Sequence, residues 1–158
     1  MIHTTYGQNP QSYLSLLESK INTSVADSQL RWLFKLTNDM TKTVKYVYGK
    51  IITTPNDRYV KNEFLYNTSE NIYEYKINFK PYGYWSYEVY EVSWIGNIEL
   101  SEEYAPINEN HVLPVHNDNG VVNGKVHEGK LYVTETAGSE QIQYTEHTES
   151  TTNYLYSN

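Results

Sequence analysis

The chain contains no cysteine, which excludes disulfides and thiolate metal sites and leaves the redox compartment open. Basic residues are few: 12 Lys and Arg stand against 19 Asp and Glu, for a formal charge of −7. They are scattered along the chain, so no nucleic-acid-binding face is expected. No apolar run approaches the ~18 residues that a membrane span needs, and no membrane partner is expected. The opening MIHTTYGQNP lacks the basic and apolar regions of a secretory leader. Asn22-Thr23-Ser24 and Asn67-Thr68-Ser69 therefore read as chance glycosylation-like triplets in an Asn- and Thr-rich chain.

Catalytic motifs are equally scarce. There is no Gly-rich phosphate loop, nucleophile elbow or Ser/His/Asp pattern. His3, His111, His116, His127 and His147 are dispersed, and none pairs at ligand spacing with a third partner. Asn117-Asp118-Asn119-Gly120 has the composition of a calcium loop, but its register would put Val115 at the first ligand position. Glu88 and Glu91 read as exposed strand glutamates rather than a glycosidase pair. The expectation is a non-enzyme with no catalytic residue, no metal and no cofactor.

What is abundant is tyrosine, 17 in 158 residues, a length that suits one domain with a core of its own. A tyrosine brings a large rigid surface with a polar tip, suited to half-buried sheet faces and interfaces. The densest stretch, YGYWSYEVYEVSW at 82–94, reads first as a core strand with Trp85 inside. One phase slip near 89–90 would turn Trp85, Tyr87, Val89, Val92 and Trp94 all inward. Without that bulge, Tyr90, Val92 and Trp94 would line the outer face.

Two regions are expected. Residues 1–28 read as a helical arm: Asn9 as N-cap, Pro10 at the first helical position, and Tyr13, Leu14, Leu17 and Ile21 on one stripe widened by Leu16. Three turns of helix are marginal alone, so the stripe must dock on its own domain or on a partner. As an arm it would be dispensable for folding. Residues 29–158 read as an all-β domain. Period-two patterns mark 30–37, 43–54 with a phase slip at Gly49, 58–66, and 71–79 with Tyr73, Tyr75, Ile77 and Phe79 on one face. Lys80-Pro81-Tyr82-Gly83 reads as a turn. Residues 95–128 read as loop, with hairpin dipeptides at Asn119-Gly120 and Asn123-Gly124. Short strands follow at 130–136, 141–147 and 151–157. This spacing points to a β-sandwich or barrel, and the sandwich is the expected form. The C-terminal strand is expected to pair through Tyr154, Leu155 and Tyr156 within the domain or across to another subunit.

The order of LRWLFKLTNDMTKTVKYVYG, NDRYVKNEF, NFKPYGYWSYEVYEVSW, a late EGKLYV and a final YLY resembles small virion structural proteins of tailed bacteriophages of crAss-like, Bacteroidetes-infecting and marine podovirus type. The resemblance spans roughly residues 28–156. It implies an architectural role in the virion: a decoration or head-fibre protein on the capsid, or a neck or tail component. Its partners would be other virion proteins, copies of itself, or a host-surface glycan. Tyr13, Leu14, Leu17 and Ile21 are then the expected docking residues. The aromatic strand after a turn is also similar to immunoglobulin-like domains with a tyrosine corner, a place for which Trp85 and Tyr87 compete. The alternative reading is a carbohydrate-binding module, with Tyr82, Tyr84 and Tyr90 stacking on sugar rings.

Overall fold

The computed structural model describes residues 1–52 and 59–136. Within them the chain is mostly strand: β1 (Ile2–Thr5), β2 (Gln11–Leu14), β3 (Leu30–Asn38), β4 (Val44–Tyr48), β5 (Lys50–Ile51), β6 (Val60–Glu63), β7 (Leu65–Tyr66), β8 (Lys76–Ile77), β9 (Gly83–Ser93) and β10 (Val121–Thr134). The helical content is limited to 3-10 turns at Leu17–Ser19, Asp27–Gln29 and Ile72–Glu74. A five-stranded sheet has the order β1-β10-β9-β3-β4, a three-stranded sheet the order β2-β6-β5, and β7 pairs with β8. Neighbours are antiparallel except in the parallel pairs β1·β10 and β7·β8.

β9 is the centre of the large sheet. Its register with β3 runs unbroken from Leu30 opposite Ser93 to Asn38 opposite Trp85. The slip expected at 89–90 is absent, and strict alternation holds. Trp85, Tyr87, Val89, Glu91 and Ser93 face one side, and Tyr84, Ser86, Glu88, Tyr90 and Val92 the other. The inner face joins Trp32, Phe34, Leu36 and Leu131 of the large sheet with Leu14, Val60 and Phe64 of the small sheet and its end in one buried cluster. Val92 and Trp94 do lie on the outer side, yet both are buried. They join Leu33, Tyr48 and Ala105 in a second cluster that the loop at 95–120 helps to cover.

The register irregularities fall on β10 instead, between Val122 and Gly124 and between Lys125 and His127. Asn123-Gly124 is therefore a bulge within a 14-residue strand, not a hairpin turn, and strand replaces loop from Val121 onward. At 71–79 the expected alternation also fails. Asn71 caps the 3-10 turn by accepting from Tyr73 N–H, and Tyr75 adopts a left-handed φ of 66°. Tyr73 and Tyr75 consequently pack on the second cluster, while Ile77 and Phe79 enter the first.

The N-terminal helix is not formed. Gln11–Leu14 pairs with β6, and Ser12, Leu14 and Leu16 point inward at period two. The stripe read as helical contains this second periodicity, and burial against the small sheet selects it over local propensity. Ile2, Leu14 and Leu16 belong to the first cluster, so the first 28 residues are built into the core. The expected strands at 141–147 and 151–157, with Tyr154, Leu155 and Tyr156, lie outside the described residues.

Gly49 explains its own phase slip. It alone separates β4 in the large sheet from β5 in the small one, so the chain changes sheets there. A Cβ at Gly49 would stand 2.4 Å from Asn62 Oδ1 and 2.8 Å from its Cγ. Asn62 is itself fully buried and has little room to give. Gly49→Ala should cost about 1–3 kcal/mol, read as a lower urea midpoint at unchanged slope. Deleting residues 1–24 removes β1, β2 and three core side chains. The truncated chain should lose its cooperative unfolding transition; a folded truncation would contradict this account.

Candidate functional site

The groups with chemical potential are mostly spent on holding the fold. Glu91 is fully buried on the inner face of β9, not exposed as expected. Its Oε1 accepts from Ile21 N–H at 2.8 Å, and its Oε2 accepts from Asn22 N–H at 2.8 Å and Asn123 Nδ2 at 2.7 Å. Asn123 is presented by the bulge in β10, and it also donates to Ser93 Oγ at 3.0 Å. A buried carboxylate satisfied this way is a clamp between the β2–β3 connection, β9 and β10. The inward phase of Trp85-x-Tyr87-x-Val89-x-Glu91 was the available signal for its burial. Glu88, three positions away, lies on the opposite face and accepts from Tyr90 Oη. The two carboxylates therefore cannot flank one substrate.

The loop at 95–120 is bolted to the outer face. Tyr46 Oη and Lys35 Nζ reach Glu109 at 2.6 and 2.7 Å. Burial alone would push the Glu109 carboxyl up, but these two bonds, a backbone hydrogen bond and the Lys35 charge together hold it below the ordinary range. Tyr48, whose phenol burial pushes up, donates to Pro106 O at 2.6 Å. At the loop's base Asp118 Oδ1 accepts from Asn97 N–H at 2.9 Å, and Gly96 N–H donates to Asn117 O at 2.7 Å. Its tip is different: Val112 and Val115 are 88% and 105% exposed.

A second group is aromatic and half-buried, packed against the edge of the first cluster. Tyr6 meets Tyr66 and Tyr82 edge-to-face at 5.0 and 5.1 Å, with Lys80 Nζ above Tyr6 and Tyr82 at 5.5 and 5.6 Å. The Tyr6 phenol, bonded by Tyr66 and partly desolvated, is pushed up to about 12. On the outer face of the large sheet, Tyr84 contacts Tyr132 at 4.5 Å with a 54° tilt, and His3 meets Tyr132 at 6.0 Å. Beside them Lys130 and Ser86 bond to Asp39, which lowers its carboxyl below the usual range.

The expected stacking trio is thus dispersed. Gly83, at φ 105°, turns the chain between Tyr82 and Tyr84. Tyr82 joins the Tyr6 group and Tyr84 joins Tyr132. Tyr90 lies six residues along the strand, roughly 20 Å away, and packs on the second cluster. The expected docking stripe is dispersed as well. Tyr13 is 61% exposed under Lys61 Nζ, Leu14 is buried on the other face, Leu17 is partly buried against the core, and Ile21 is 47% exposed. His3 and Tyr132 were missed because only strand register brings them beside Tyr84. Among the described residues, no group of three His, Asp or Glu is placed to hold a metal ion.

Compared with protein-family models, curated proteins and solved structures, the chain finds no match in any of the three.

Glu91→Gln replaces one acceptor oxygen by a donor amide facing donor groups. It should cost about 1–3 kcal/mol and speed hydrogen exchange at Ile21 and Asn22. Unchanged exchange there would show that the clamp does not hold this segment.

Proposed function

We propose that this chain is a non-enzymatic structural component of a phage virion, attached to the head as a decoration or head-fibre protein. The observation that carries the attachment reading is the tip of the 95–120 loop. Val112 and Val115 stand in solvent on a loop whose base is fixed by Glu109, Tyr48 and Asp118. Ordered apolar side chains displayed this way favour burial on a partner, at little ordering cost. The ordered motifs similar to small phage virion proteins supply the particle as that partner. The role first assigned to a helical arm passes to this loop, since Leu14 is occupied in the core.

The finer fold proposal is an immunoglobulin-like β-sandwich. The order β2-β6-β5 fits strands B-E-D, and β10-β9-β3-β4 fits G-F-C with an added C′. Trp32 on β3 takes the place of the buried tryptophan of strand C. Trp85 takes the corner role, its Nε1 donating to Pro81 O at 3.1 Å four residues upstream. Under this assignment the 95–120 loop is the F–G loop and 15–29 the B–C loop. Both would lie at the end where such sandwiches gather their binding loops.

The test is co-sedimentation with isolated phage particles lacking this protein. Wild type should saturate the particles, and Val112→Asp with Val115→Asp should lower the bound fraction at least tenfold with an unchanged unfolding midpoint. Undiminished binding of the double variant would overturn the loop's role. Failure of the wild type to bind any particle component would overturn the virion assignment.

A further inference from the structure

The outer face of the large sheet is organised in rows that cross the strands. His3, Tyr132 and Tyr84 are in register across β1, β10 and β9. The next row places Lys130 opposite Ser86, and Ser86 opposite Thr37 of β3. Asp39, just beyond β3, reaches into this row: its Oδ1 accepts from Ser86 Oγ at 2.8 Å and its Oδ2 from Lys130 Nζ at 2.6 Å. Lys130 Nζ also lies 2.9 Å from Ser86 Oγ. A third row, Glu128, Glu88 and Lys35, meets the 95–120 loop through Lys35 and Glu109. The loop therefore joins the face at the third row and beyond. In the first two rows Tyr84 is 50% exposed, and the Lys130 and Asp39 side chains are 52% and 32% exposed.

We propose that these two rows form a binding site for a neutral saccharide, with Tyr84 as the stacking ring and Asp39 and Lys130 as the hydroxyl-recognising pair. A pyranose has an apolar C–H face bordered by hydroxyls that both donate and accept. The site offers the matching pair of surfaces: an uncharged aromatic row, and beside it an acceptor and a donor held in one hydrogen-bonded group. Ser86 fixes both polar partners before any ligand arrives, so few torsions are frozen on binding. The Tyr84 and Tyr132 hydroxyls make no hydrogen bond among the described residues and stay available. The row spans about two strand spacings, roughly 10 Å, which suits a short oligosaccharide rather than one ring.

Charge argues for a neutral ligand. Lys130 is matched by Asp39, and in the next row Glu128 is matched by Lys125 and Lys35 by Glu109, which leaves Glu88. The cation within the first two rows is already paired, so an anionic sugar would compete with Asp39 for it. The Tyr84–Tyr132 tilt of 54° makes this a one-ring platform with a raised edge, which would orient the sugar rather than hold a flat polymer. This site is independent of the particle-attachment reading, because it uses none of the loop residues.

The experiment uses the full chain with maltotriose, cellotriose, mannotriose and chitotriose, and with sialyllactose as the anionic comparison. Binding is followed by saturation-transfer NMR and calorimetry. At least one neutral trisaccharide should bind at millimolar concentration or below. Tyr84→Ala should weaken it about tenfold, the order for loss of one stacking contact, and Asp39→Asn several-fold. Tyr13→Ala, an exposed tyrosine on β2, should leave it unchanged, with all variants keeping the wild-type unfolding midpoint. Binding of no neutral trisaccharide, full binding by Tyr84→Ala, or tighter binding of sialyllactose would each overturn the proposal. Particle co-sedimentation of Tyr84→Ala at the wild-type level would keep that result separate from the attachment question.

Discussion

The constraint on which the rest depends is that β9 must be buried on both faces at its C-terminal end. It lies between β10 and β3 in the large sheet, so its backbone groups are paired on both edges. Its inner side chains meet the small sheet, and Val92 on its outer face has to be covered by something else. That cover comes partly from the 95–120 loop, a connection long for a simple hairpin. The loop is ordered by work done underneath it. Trp94 Nε1 donates to Tyr104 O at 3.3 Å, and Gly120 lies so close to the same indole that a Cβ would stand 2.6 Å from it. The loop is therefore a lid on the second cluster as well as the carrier of an apolar tip. A lid needs anchors, and the anchors then present the tip rigidly.

The inner face of the same strand end poses the opposite problem. Its alternation places a carboxylate, Glu91, where an apolar residue would ordinarily sit. Leaving a buried charge unsatisfied would cost several kcal/mol. The chain meets that cost with backbone N–H groups of residues 21 and 22 and with an asparagine displaced by a bulge. The bulge in β10 is thus not a defect in the strand; it turns Asn123 toward the carboxylate. The N-terminal segment is held from two directions, by β1 and β2 pairing and by this clamp.

Much of the strand pattern was legible because period two is hard to produce otherwise. Leu30-x-Trp32-x-Phe34-x-Leu36 and Trp85-x-Tyr87-x-Val89 could be read directly. Where sequence and structure differ, the physical causes are separable. A bulge at 89–90 is needed only if β9 has one buried face; with two buried faces, Val89 and Val92 are both covered without it. Tyr13, Leu14, Leu17 and Ile21 fit a helical stripe, but Ser12, Leu14 and Leu16 fit a strand, and only the partner strand β6 decides between them. Asn123-Gly124 has the composition of a turn, and whether it turns or bulges depends on the register of β9. The row of His3, Tyr132 and Tyr84 draws on residues 3, 84 and 132, so no local pattern could have revealed it.

Several of the tyrosines sit where these constraints leave seams. A leucine at position 48 could pack under the loop, but it could not bind Pro106 O; Tyr48 does both. Tyr46 likewise covers apolar surface and bonds Glu109, and Tyr6 joins Asn78 at 2.7 Å. Each phenol sits where an apolar cluster meets a polar connection, and each supplies burial and a directional bond from one side chain. In a chain without disulfides, such seams hold irregular segments to the sheets. Tyr84 and Tyr132 are not seams of this kind. Their rings meet each other across two strands on the open outer face, beside the Asp39–Lys130 pair. Their hydroxyls bind nothing among the described residues, so here the ring packing between neighbouring strands, and not a directional bond to a loop, is what the two side chains supply.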